Sequence, residues 1–150
     1  MKKRIITVAL ICLPIFGFSQ FKCKTVDNDF DPAYRIVYNE SSDNTLLKLE
    51  NVDGMVGMYI QNTAVCTGRE LNVDIVYIFP NGEKEKYNLD LLPSDDGTVL
   101  VITYDLLTSE MLSSFKRSTK MKVRVNEVYC EPTYYEYNMV GSTNAINFIK

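Results

Sequence analysis

The amino-acid sequence predicts a mainly β protein, an antiparallel β-sandwich of about eight strands with one short helix. Three observations lead there. Apolar and polar residues alternate with period two through most of the chain after residue 20, the pattern of strands with one buried face. Pairs that tolerate positive φ, Asp53-Gly54, Asn81-Gly82 and Asp96-Gly97, punctuate the alternation. A single stretch, Leu107 to Arg117, changes to the spacing of an amphipathic helix.

The chain opens on a leader. Lys2, Lys3 and Arg4 precede an apolar run from Ile5 to Phe16, and Gly17-Phe18-Ser19 places small residues for a cleavage before Gln20, so residues 1–19 read as a signal peptide. The run is interrupted by Pro14 and falls short of the roughly 20 residues that cross a bilayer, so no transmembrane anchor is expected. Neither Cys12, inside the run, nor Cys23 stands where a lipoprotein needs its cysteine. Residues 20–150 then make one β-sandwich domain, exported to the periplasm or the periphery of the cell envelope, or released outside the cell. The leader takes three positive charges with it, leaving 13 Lys and Arg against 19 Asp and Glu. That excess of acid argues against a nucleic-acid partner, which draws on clustered, uncompensated cations.

The first strand is expected over Tyr34 to Asn39, followed by Thr45 to Glu50 and Met55 to Gln61. The clearest alternation is Leu71, Val73, Ile75, Tyr77 and Phe79 against Glu70, Asn72 and Asp74. Pro80-Asn81-Gly82 joins it as a hairpin to Lys84 to Leu91. Thr98 to Tyr104 comes next, and because Val99 to Ile102 is apolar on both faces it is expected as a central strand covered on both sides. In the helix, Thr108 or Ser109 caps, Glu110 suits the first turn, Leu107, Met111, Leu112 and Phe115 form the apolar stripe, and Lys116 and Arg117 close the last turn. Met121, Val123 and Val125 against Lys120, Lys122 and Arg124 give a further strand, and Thr133 to Val140 the last. There Tyr135, Tyr137 and Met139 face the core while Tyr134 and Glu136 point outward. A short helical turn over Asn144 to Ile149 ends the chain, with Ile146 and Ile149 or Phe148 tucked inward.

Chemistry is sparse. The sequence has no histidine and no tryptophan, which removes Ser-His-Asp and Cys-His catalysis and most catalytic zinc sites, and leaves tyrosines, ten in all, as the available sugar platforms. Asp27, Asp29 and Asp31 have the opening spacing of a calcium loop, but Pro32 and Tyr38 occupy the positions of its glycine and bidentate glutamate, so a solvated acidic loop is expected. Asp95-Asp96-Gly97 is expected as a turn. Glu70, Asp74 and Glu136 are the carboxylates that could pair as acid and base, yet nothing in their spacing selects them. No catalytic residue, metal ligand or cofactor is therefore expected, and the protein reads as a non-enzymatic binding or structural module, with a small-ligand or glycan binder using exposed tyrosines as the alternative and a carboxylate hydrolase behind both. Of the cysteines left after the leader, Cys66 with Cys130 is the preferred disulfide and Cys23 the spare, although three pairings are open. Lys116, Arg117, Lys120, Lys122 and Arg124 form a basic cluster that could dock an acidic surface, an envelope protein being the expected partner.

Two segments carry a resemblance. Asn28-Asp29-Phe30-Asp31-Pro32-Ala33-Tyr34, and Tyr137 to Phe148 with its Gly141-Ser142 break, resemble the opening and closing motifs of small uncharacterised exported β proteins of Bacteroidota, as does the leader ending Phe18-Ser19-Gln20. The closing motif is also distantly similar to the invasion-associated locus B family of periplasmic proteins. The resemblance implies a single-domain β fold in the envelope and carries no activity. A C-terminal sorting domain of the kind borne by type IX secretion cargo is not expected.

Overall fold

The computed structural model describes residues 21–27, 33–67, 69–127 and 130–150. The leader, together with Asp29 and Asp31 of the acidic loop, lies outside the described residues. Nine strands and two helices follow in order: β1 (Lys22–Val26), β2 (Tyr34–Glu40), β3 (Leu46–Val52), β4 (Met55–Gln61), β5 (Leu71–Ile78), β6 (Lys84–Leu91), β7 (Val99–Ile102), α1 (Ser109–Arg117), β8 (Lys120–Asn126), β9 (Thr133–Asn138) and α2 (Ser142–Ile149). They form two antiparallel sheets packed as a sandwich, one ordered β1-β2-β3-β4-β7 and the other β6-β5-β8-β9.

The period-two pattern becomes the core directly. Val37, Leu47, Leu49, Met58, Ile60, Leu100 and Ile102 of the first sheet are buried against Val73, Ile75, Tyr77, Met121, Val123, Val125 and Tyr137 of the second. A one-residue slip of any of these strands would turn its apolar set to water, which is why the register is firm. A hydrogen bond at 2.8 Å between the hydroxyls of Thr45 and Tyr137 joins the β2–β3 connection to β9 across the sandwich.

Both helices close the sandwich. Thr108 caps α1, its hydroxyl accepting from the Met111 N–H at 3.2 Å. Phe115 drives into the core between Phe21 and Tyr77, with ring centroids 5.5 and 6.4 Å away. Gly141 precedes α2 at φ +92°, a conformation that favours glycine. The last carbonyls of α2 would otherwise be orphans; Arg35 Nη1 donates to Phe148 O at 3.0 Å and Asn51 Nδ2 to Ile149 O at 2.6 Å.

Two expectations are corrected. β7 is not a central strand: it ends the first sheet beside β4, and Val99 and Val101 face outward half-buried. An isolated bridge from Pro93 to Leu100 meets part of its free edge, so apolar residues on both faces here mark a covered edge and not a central position. Among the described residues the strands number nine, one more than the periodicity predicts, the addition being β1. Its residues are almost all exposed, so it carries no apolar face for a periodicity to reveal, and only its pairing with β2, Cys23 opposite Val37, makes it a strand.

Candidate functional site

The outer faces of the two sheets differ in what they leave open. On the first, register places Lys22, Tyr38, Lys48, Tyr59 and Val101 side by side across five strands. Lys22 Nζ lies 5.7 Å from the Tyr38 ring centroid and Lys48 Nζ 4.7 Å from that of Tyr59. The Tyr59 ring in turn lies over Gly57, where a Cβ would come within 3.1 Å of its hydroxyl. These rings already have partners on their faces, so the ladder stabilises the sheet more readily than it stacks a ligand.

On the second sheet, alternation sends Asn72, Asp74 and Val76 of β5, Lys86 and Asn88 of β6, Lys120, Lys122, Arg124 and Asn126 of β8, and Tyr134 and Glu136 of β9 outward together. Asp74 is central, with its side chain only 5% exposed. Its carboxylate accepts from Asn88 Nδ2 at 2.8 Å, Lys86 Nζ at 3.0 Å, Arg124 Nε at 3.0 Å, Arg124 Nη2 and Asn126 Nδ2 at 3.3 Å. Asn88 first, then Lys86, Arg124 and Asn126, hold this carboxyl far below the usual carboxylate range against the opposing effect of burial. Asp74 raises the Arg124 guanidinium in return. Glu136 is bridged by Lys120 at 2.5 Å and Lys122 at 3.1 Å and is likewise lowered, by Lys120 foremost.

Over this network runs a groove of about 440 Å³, bounded by Val76, Lys86, Lys122, Arg124, Tyr134 and Asp43 among others. Past Ser42 and Glu136 it continues into a polar depression of about 900 Å³ bearing Glu40, Thr119, Lys120 and Asn138. Tyr134 is 64% exposed, an aromatic surface open to solvent at the wall. The charges lining the groove, Lys86, Lys122 and Arg124 against Asp43, Asp74 and Glu136, balance. What results is a shallow channel of fixed donors and acceptors, neutral as a whole, beside one exposed ring.

The basic cluster is divided by the fold. Lys120, Lys122 and Arg124 share the grooved face, each paired with a carboxylate. Lys116 and Arg117 belong to α1, where Lys116 donates to Asn147 Oδ1 at 3.1 Å and the Arg117 guanidinium stacks 4.9 Å from the Phe79 ring centroid. Asp74 and Glu136 do share a face, but cations engage both; Glu70 precedes β5. Asp96 serves its turn: Ser94 Oγ, at 2.7 Å, and the Thr98 hydroxyl and N–H hold its carboxyl down at about 2. No motif of the sequence marks Lys86, Asn88, Asp43 or Ser42; Lys86 and Asn88 reach this face only through the pairing of β6 with β5.

Among the described residues three cysteines, Cys23, Cys66 and Cys130, are free and exposed. Cys23 sits on β1, while Cys66 Sγ and Cys130 Sγ approach to 3.1 Å without being bonded. Glu127 and then Cys130 push the Cys66 thiol up to about 12. Among the described residues no helix is long and apolar enough to cross a membrane. In comparisons of the chain with family models, curated proteins and solved structures, nothing matches.

Proposed function

We propose that this is an exported, non-enzymatic binding module of the cell envelope, whose site is the groove on the outer face of the β6-β5-β8-β9 sheet and whose ligand is a neutral, hydroxyl-rich chain such as an envelope glycan. The observation that carries the reading is the charge-balanced, preoriented network around Asp74 beside the exposed Tyr134 ring. Hydroxyl groups need donors and acceptors held in place, and a sugar ring needs one apolar surface; a groove of net charge would select ions instead. The continuation past Ser42 and Glu136 gives an extended ligand room for further units. The carboxylates support a non-enzymatic role: Asp74 and Glu136 are held low by their partners, unlike a general acid poised near neutral pH. In an oxidising compartment the Cys66 and Cys130 thiols would give up two protons and two electrons to a disulfide-class oxidant and close a bridge between the β4–β5 segment and the β8–β9 connection.

The test is titration of the isotope-labelled protein with soluble oligosaccharides, neutral and anionic, followed by NMR. Binding should move the amides of Lys86, Arg124, Tyr134 and Glu136, and Tyr134→Ala should weaken it about tenfold, as loss of an aromatic anchor worth about 1.4 kcal/mol does. Shifts confined to the opposite sheet, or a Tyr134→Ala variant that binds as tightly as the parent, would sink the assignment.

A further inference from the structure

Away from the groove, three ligand-type side chains converge from separate parts of the chain. Cys66 lies on the segment between β4 and β5, Glu127 directly follows β8, and Cys130 lies between β8 and β9. Their two sulfurs and a carboxylate oxygen all lie within 4.8 Å of one another. The Cys66 N–H donates to Glu127 Oε2 at 3.2 Å, which holds the carboxylate on the side of the sulfurs. Both cysteines are exposed, so an ion can reach them from solvent.

Two thiolates and a carboxylate supply three of the four positions of a tetrahedral zinc site, and thiolate sulfur selects zinc-class ions over calcium or magnesium. The geometry is within reach. With metal–sulfur bonds of about 2.3 Å, two sulfurs on one tetrahedral ion stand about 3.8 Å apart. From 3.1 Å the pair must open by roughly 0.7 Å, which two exposed side chains accomplish by small χ rotations. A cation would also relieve the mutual repulsion of three groups that are anionic as ligands.

We propose that Cys66, Glu127 and Cys130 bind a thiophilic divalent cation of the zinc class in the reduced protein, with the fourth position open to water. The ion ties the β4–β5 segment to the β8–β9 connection. It is in direct competition with oxidation: when the two thiols pass two electrons to a disulfide-class oxidant, release two protons and form an S–S bond, both sulfur ligands are lost. This inference is independent of the groove's ligand.

The test uses the reduced full chain carrying Cys12→Ser and Cys23→Ser, so that Cys66 and Cys130 are its remaining thiols, titrated with zinc chloride against a chromophoric chelator. One equivalent should bind. Glu127→Gln should weaken binding about 10- to 100-fold, and Cys66→Ser or Cys130→Ser by more. One equivalent of zinc should also slow alkylation of both thiols at least about tenfold, because the metal-bound thiolate is withheld from reaction. Uptake that survives Cys66→Ser, affinity indifferent to Glu127→Gln, or alkylation and disulfide formation equally fast with and without zinc would each overturn the site. All three positions are at or near the surface, and circular dichroism of each variant separates lost binding from lost folding.

Discussion

Replacing Asp74 by Asn tests the outer network where it is most concentrated. The side chain keeps its size and one acceptor oxygen but loses its charge, so the contacts with Asn88 and Asn126 fall from charge-assisted to neutral, those with Lys86 and with Nε and Nη2 of Arg124 lose their ion pairing, and some lose their acceptor altogether. A hydrogen bond to an ionised group is worth about 1 kcal/mol more than a neutral one. Lys86 and Arg124 are about half exposed and recover part of that from water. Discounted so, the expected loss at pH 7 is about 2 kcal/mol. The loss should depend on pH with a definite sign. Because the carboxyl is held below its unfolded value near 3.9, the unfolded chain takes up the proton first as pH falls, and stability drains from the parent as pH goes below about 4 towards the folded value. Asp74→Asn lacks that term, so the two proteins should converge in acid. Urea unfolding at several pH values, followed by far-UV circular dichroism and tyrosine emission because the chain has no tryptophan, measures the difference. A gap as wide at pH 3 as at pH 7, or under about 0.5 kcal/mol throughout, refutes the assignment of Asp74 as the electrostatic centre of this face.

Other expectations are simpler to read. Gly97→Ala should cost at least about 3 kcal/mol in urea unfolding, because at φ +71° the new Cβ would lie 2.2 Å from Val65 O, whereas Gly82→Ala, at φ +85° with nothing within 4 Å, should cost only the left-handed penalty of about 1–2 kcal/mol; equal losses would remove the close approach to Val65 as the cause. Phe115→Ala empties the fully buried space between Phe21 and Tyr77 and should cost about 3–5 kcal/mol, lowering the thermal midpoint by about 9–15 °C; a drop under about 3 °C would mean that the ring does not anchor α1. Tyr134→Ala, though damaging to the proposed binding, should change stability by no more than about 0.5 kcal/mol, since the ring is exposed.

The sequence by itself determined the elements whose physics is local. Period two in Leu71 to Tyr77 and in Met121 to Val125 decided which residues face the core, because a pleated strand has only two faces. Thr108, Glu110 and the Met111–Phe115 stripe decided α1, and the glycines at 54, 82, 97 and 141 decided turns at positive φ, because capping and left-handed backbone are settled within a few residues. It also placed Tyr134 outward and Tyr135 and Tyr137 inward. Only the tertiary structure decided what depends on pairing. The mostly exposed residues of β1 became a strand because β2 has an edge to offer, and the apolar Val99–Ile102 became an edge because β4 was its available partner. The basic cluster was close in sequence but divided in space, since a helix and a strand point their side chains by different periods. Asp74 met Asn88 and Arg124 through strands paired on either side of β5, a register set by core packing many residues away. Cys66 and Cys130 were brought side by side from segments 64 positions apart, and Glu127 joined them by a hydrogen bond that neither cysteine's spacing encodes.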